Sequence, residues 1–365
     1  MNTTPAQAAH PKLLVDSAGP LRAGEPLDVA AVDRFLKSRL PALTGEPEVR
    51  QFPGGASNLT YLFRYPEREL VLRRPPFGHK AKSAHDMVRE AKVMQALIPV
   101  YPLVPEVVAV CEDDSVLGTP FFVMERLHGI ILRRDLPSGL VLSPQQTAEL
   151  AVNMLGGLCS LHAIDVEAAG LLALGKGEGY VARQVTGWVK RYRDAQTPDV
   201  PSYSQVIDWL LTNMPLAESA IRVVHNDYRF DNLVLDAEQP TRLIGVLDWE
   251  LATLGDPLMD LGNSLAYWVD ATDEPAWRRL RRQPTHIPGM PTRREVVTSY
   301  AARTGLSVPN FDYYLVFGLF RLAAIAQQIY YRFFHGQTKV AEFGKFGEIV
   351  PLLEKRASDA MASRW

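Results

Sequence analysis

VVHNDYRFDNLVLD, residues 223–236, sets a polar knot between two apolar runs. The flanks read as strands, whereas the Asp, Asn and Arg of HNDYRFDN would ordinarily mark a turn. Downstream, RLIGVLDWE (242–250) supplies the partner: NLVLD and RLIGVLD read as two strands joined by a turn around AEQPT. With the turn centred near Gln239, residue 232 falls opposite residue 246. Asn232 and Asp248 then meet at the open end of the hairpin, just past Asp227. Two carboxylates and a carboxamide oxygen on one spot suit Mg²⁺, which takes hard oxygen ligands and keeps its other positions for water and substrate phosphates.

The rest of the 365-residue chain sets the frame. At roughly 150 residues per domain the length allows two domains or one bilobed one. A 47% apolar and 22% charged composition provides for a large core. A net charge of −2 argues against a nucleic-acid or membrane binder. Cys111 and Cys159 are too few for a disulfide framework or a thiolate zinc site. No apolar run approaches the ~18 residues of a membrane span, and MNTTPAQAAHPK does not read as a signal peptide. The expectation is a cytoplasmic protein with neither nucleic acid nor membrane as partner.

Residues 1–25 read as a flexible arm, and LDVAAVDRFLKSRL after them as a helix. EVRQF, LTYLFRY and LVLRRPP form a three-strand antiparallel sheet, and segments 104–111 and 119–127 add two strands. SAHDMVREAKVMQAL is a helix capped by Ser83, with Glu90 on the edge of its apolar stripe and turned toward the sheet. Beyond HGIIL the texture is helical, starting with a Ser143 cap and Pro144, then near 180–195, 203–220, 293–303 and 311–334. Only 222–249 interrupts it. The fold class is α+β, with residues 26–126 a small antiparallel-sheet N-lobe and 127–365 a larger, mostly helical C-lobe.

HNDYRFDN has the H-x-D-x-x-x-x-N spacing of the catalytic loop in protein-kinase-like enzymes, and DWE stands where they carry D-F-G. The longer run HNDYRFDNLVLD…GVLDWELATLGDPLMDL resembles the aminoglycoside phosphotransferase and choline kinase-like family. With GGASNLTYLF and LVLRRPP it is most similar to the phosphotransferase-like domain at the N-terminus of some acyl-CoA dehydrogenase proteins, from about residue 28 to 335.

The resemblance implies a bilobed protein-kinase-like fold and an ATP- and Mg²⁺-dependent small-molecule kinase that phosphorylates a hydroxyl. Asp227 would accept or orient the attacking hydroxyl's proton, Asn232 and Asp248 would hold Mg²⁺, and His225 would support the loop. Arg73 takes the place of the usual phosphate-binding lysine, with Glu90 as its helix partner; Arg74 alternates to the other face. Gly54 and Gly55 would let the backbone approach phosphate, with Ser57 or Asn58 bonding it, and the backbone of Glu125 and Leu127 would meet adenine. The favoured acceptor is a hydroxyacyl or hydroxyacyl-CoA compound. A functional link to an acyl-CoA dehydrogenase and a homodimer are compatible with it. The alternatives are a catalytically silent nucleotide-binding module and an aminoglycoside-type kinase, although the basic run WRRLRRQP (277–284) opposes a polycationic substrate.

Blander readings stand beside these. Arg73–Glu90 also reads as a surface salt bridge, and GGASN as a plain turn. Asp256 and Asp260 read as structural, the first a cap and the second a partner for backbone near the catalytic loop. Arg229 suits either phosphate or a loop salt bridge. Glu250 reads as solvent-facing in preference to an aid to the metal, His162 as a helix cap that also packs, and the aromatics of 311–334 as core or subunit contact. No G-x-S-x-G, H-E-x-x-H or Walker A sequence is present.

Overall fold

A computed structural model describes residues 14–22, 27–53, 58–76 and 86–365. They divide into two compact units, one running to residue 131 and resuming at 233–252, the other comprising 132–232 and 253–365. A single boundary near 126 therefore does not describe the chain.

In the first unit, alternation of apolar residues builds five strands: β1 (Glu48–Gln51), β2 (Leu59–Arg64), β3 (Glu69–Arg74), β4 (Val107–Cys111) and β5 (Phe121–Glu125). They form one sheet in the order β1-β2-β3-β5-β4, with every neighbouring pair antiparallel. Tyr61, Phe63, Leu70, Leu72, Phe121 and Val123 pack on one face against Val32 and Leu36 of helix α1 (Val29–Arg39). Period two turns Arg73 to the opposite face.

Helix α2 (Met87–Leu97) buries Met87, Glu90, Ala91, Met94 and Leu97, the i, i+3, i+4 stripe expected. Its cap is Asp86, whose side chain accepts the Arg89 N–H. The Ser83 assigned that role lies outside the described residues. The anticipated hairpin forms from strands Leu233–Asp236 and Leu243–Val246, but Leu233, not Asn232, pairs with Val246. An irregularity after Val234 shifts the register by one residue.

In the second unit, Ser143 and Gln146 make a capping box for α3 (Pro144–His162). The expected 203–220 helix stops at Thr212; Pro215 disfavours helical backbone at the residue before it. A helix over Phe346–Met361 went unanticipated.

Helix α4 (Pro257–Ala266) is buried along its whole length, and α5 (Phe311–Phe334) from Phe311 into its third turn and beyond. The two cross at Gly262 and Gly318. A Cβ on Gly262 would lie 2.3 Å from the Tyr314 carbonyl oxygen, and one on Gly318 would lie 2.3 Å from the Gly262 oxygen. Backbone cannot yield as a flexible side chain does, so Gly262→Ala is expected to destabilise the protein by roughly 1–3 kcal/mol. Denaturant titration would measure this, and an unchanged midpoint would show that the crossing can open at little cost.

Candidate active site

The sequence-predicted residues form two clusters, one in each unit. In the helical unit, strand Arg222–Val224 pairs with Thr253–Gly255 and delivers the chain into the polar knot. The knot is pinned from beneath by Asp260 of α4, which is fully buried. Its oxygens accept the backbone N–H groups of His225 and Asn226, both at 2.7 Å. His162 Nε2 lies 3.1 Å from the same carboxylate, and His162 Nδ1 lies 2.6 Å from the Tyr300 hydroxyl. His162 packs as expected, as a buried link, but it is the last residue of α3 and Ala163 stands at the C-cap. Asp256 caps α4 through the Leu258 N–H and also binds Ser219. Both aspartates have the structural roles read from sequence.

Above this base, Asn226 adopts φ +66°, and its side-chain oxygen accepts from the Tyr180 hydroxyl at 2.8 Å. His225 Nδ1 accepts the Asp227 N–H at 3.2 Å, which leaves the ring proton on Nε2. The Asp227 carboxylate is held on both sides. Arg229 Nε donates to Oδ1 and Asn232 Nδ2 to Oδ2, each at 2.9 Å. Asn232 Nδ2 also donates to the Asp227 carbonyl at 2.8 Å, so its Oδ1 is the atom left for a cation.

Arg229 closes the loop rather than offering its charge outward. It bridges Asp227 to Asp231 and lies 4.7 Å over the Tyr267 ring. Gln283, at the end of the basic run, is buried and accepts the Phe230 N–H at 3.1 Å. Nothing in its local sequence signals that contact.

In the sheet unit, Arg73 from β3 lies between two carboxylates, with Nη1 2.9 Å from Glu90 and Nη2 2.9 Å from Asp248. Glu90 is wholly buried, so this is no surface pair. Burial lifts its carboxyl well above the usual range, Asp248 and Glu250 add to the rise, and Arg73 opposes it. Burial disfavours the Arg73 charge, but the carboxylates of Glu90 and Asp248 outweigh it and raise that pKa. Arg74 Nε donates to the Pro75 carbonyl at 3.4 Å.

Asp248 itself has φ +69°, rare for a residue with a side chain, and Trp249 after it is buried and donates its indole N–H to the Val246 carbonyl at 2.8 Å. Glu250 is not solvent-facing as expected; it accepts from the buried Asn58 Nδ2 at 3.0 Å. Gly54, Gly55 and Ser57 lie outside the described residues. Glu125 pairs with Arg68, and Leu127 packs where a Cβ on Gly245 would come within 2.0 Å of its Cδ1.

Asp248 and Glu250 set carboxylate oxygens near the Arg73 guanidinium, and hard oxygens of this kind are what Mg²⁺ takes. Among the described residues no three His, Cys, Asp or Glu side chains converge as a self-sufficient metal centre. Such a centre is not required where phosphates complete the coordination, because one or two protein carboxylates then suffice.

A family model described as "Phosphotransferase enzyme family" matches residues 48–296, and the chain belongs to that family. Mouse acyl-CoA dehydrogenase family member 10 is 37% identical over 94% of this chain, and human family member 11 is 33% identical over 90%. The chain spans 32% and 42% of those two relatives. Among solved structures, a protein from Ralstonia eutropha titled a putative aminoglycoside phosphotransferase is 30% identical, with a TM-score of 0.78 over 93% of this chain and 99% of that one. Choline kinase from Cryptosporidium parvum, at 15% identity and a TM-score of 0.64 over 92% of this chain and 96% of its own, shares the fold. The α+β, protein-kinase-like class expected from the sequence holds. Among the described residues no helix is long and apolar enough to cross a membrane.

Proposed function

We propose that the protein is an ATP- and Mg²⁺-dependent kinase that moves the γ-phosphoryl group to the hydroxyl of a small molecule. The observation that carries this is the Asp227 carboxylate, gripped by Arg229 on one oxygen and by Asn232 on the other, in a loop anchored by buried Asp260. Phosphoryl transfer asks the protein for positioning and charge neutralisation, which rigid oxygens provide.

In this reading Asp227 orients the acceptor hydroxyl and takes its proton. Asn232 through Oδ1 in the helical unit and Asp248 through its carboxylate in the sheet unit would be the candidate ligands for Mg²⁺, which would offset phosphate charge. Arg73, kept in place by Glu90, contacts phosphate. Backbone of Glu125 and Leu127 meets adenine, and Gly55, Ser57 and Asn58 belong to the phosphate loop. A hydroxyacyl or hydroxyacyl-CoA acceptor is favoured by similarity to the acyl-CoA dehydrogenase family members, and a functional link to such a dehydrogenase follows the same line.

The test is ADP release from Mg·ATP across a panel of hydroxy acids, hydroxyacyl-CoAs, choline-like alcohols, sugars and aminoglycosides. Acceptor-dependent ADP establishes the kinase and names its substrate class. Silence together with Mg·ATP-induced thermal stabilisation favours a non-catalytic nucleotide-binding module, and silence without stabilisation overturns the nucleotide reading. Asp248→Ala is expected to remove Mg²⁺-dependent thermal stabilisation by ATP together with turnover. Retained Mg²⁺ dependence in that variant would take Asp248 out of the metal site.

A further inference from the structure

Asp248 has a backbone conformation that side-chain-bearing residues rarely adopt, and such strain persists only where surroundings over-determine it. On one side the constraint is evident: Trp249 is buried edge-on to Tyr101 with ring centroids 5.8 Å apart, and its indole is tied to Val246. On the other side it comes from α2. Arg89 Nη1 donates to the Glu250 carbonyl at 2.9 Å, and its Nη2 donates to the Ala252 carbonyl at 2.6 Å. One planar guanidinium thereby spans the end of the segment that carries Asp248.

Arg89 is also fixed at its own backbone, since its N–H is the one that Asp86 caps. Consecutive residues of α2 therefore reach the same segment by different routes. Glu90 acts through Arg73 on the Asp248 side chain, and Arg89 acts directly on the main chain that follows. Glu250, whose carbonyl Arg89 holds, extends its side chain to Asn58 at the far end of the glycine segment.

We infer that Arg89 is a positioning residue, which sets the Asp248 loop in the conformation that Mg·ATP requires. The inference rests on the kinase reading for its consequence but not for its geometry, so the two can fail separately. A lysine in its place reaches one carbonyl at a time; methionine reaches neither. Loss of a residue that orients a metal ligand typically weakens metal affinity or activity 10- to 100-fold.

The experiment compares wild type, Arg89→Met and Arg89→Lys. Amide hydrogen exchange in nucleotide-free protein should quicken in Arg89→Met over 247–253 while the strands β2 and β3 stay protected. The Mg²⁺ concentration giving half-maximal thermal stabilisation by ATP should rise about 10- to 100-fold, with Arg89→Lys intermediate and added guanidinium restoring part of the loss in Arg89→Met. Unchanged exchange over 247–253 overturns the inference, as does exchange that rises uniformly across the sheet unit, which marks a merely structural role. Absence of any Mg·ATP stabilisation in wild type sinks the kinase reading instead, and the exchange result still decides the clamp.

Discussion

Asp227→Asn is expected to lower kcat by about 10²–10⁴-fold, the range for a lost general base, with Mg·ATP binding retained. The substitution keeps the size of the side chain and removes its charge. It also places an amide N–H₂ where the carboxylate now accepts from Arg229 on one side and Asn232 on the other, so one of those donors faces another donor. The loop is nevertheless anchored elsewhere: His225 and Asn226 are tied to Asp260, and Phe230 to Gln283. Nucleotide-induced thermal stabilisation should therefore survive while acceptor-dependent ADP release collapses. Full activity in this variant would remove Asp227 from the chemistry, and loss of both readouts would mean that it supports the loop rather than the reaction.

Asp260→Ala is the change expected to damage the fold most. It orphans the His225 and Asn226 N–H groups and the Nε2 of His162, all in a buried setting. Each buried donor left without a partner costs about 1–3 kcal/mol, so the loss amounts to several kcal/mol out of the ~5–15 that a domain typically has. The same carboxylate dictates a pH dependence. Burial alone works against its charge, but the hydrogen bond and charge of His162, with the backbone N–H of His225, outweigh that and hold it below the usual carboxylate range. A folded-state pKa depressed below the unfolded value of about 3.9 contributes stability that is present above the unfolded value and lost as pH falls through the folded one. Wild type should therefore lose stability on acidification below about pH 4 more steeply than Asp260→Ala. Parallel acid limbs in urea titrations would place the acid-sensitive group elsewhere.

How far such features were readable in advance follows from their range along the chain. The H-x-D-x-x-x-x-N loop was legible because its parts lie within eight residues, and the sheet because alternation is a local signal. Glu90 could be aimed at the sheet from helical phase alone, and its contact with Arg73 agrees with that. The hairpin register was missed by one residue because an irregularity after Val234 adds to one strand without leaving a mark in composition. The α4 helix carried a start signal, Asp256 before Pro257, of the same kind as Ser143–Pro144; Asp256 was read as a cap, but the helix that follows it was not. Arg89, Gln283 and Tyr267 had no signal to read. Their partners are 161, 53 and 38 positions away, and only tertiary packing brings a surface-looking arginine or glutamine to a backbone it must hold.

The order in which the units appear along the chain has a consequence during synthesis. Because residues 233–252 complete the sheet unit, the ribosome must make the first stretch of the helical unit before the sheet unit has all its parts. Folding from the N-terminus as each domain emerges, the usual course for multidomain chains, is therefore unavailable to it. A nascent chain ending anywhere before Asp248 presents a sheet without the segment that Arg73 and Arg89 hold. Neither unit can be excised as one contiguous fragment, so the two must mature together, and a nick at either 131–132 or 232–233 would sever a unit from part of itself.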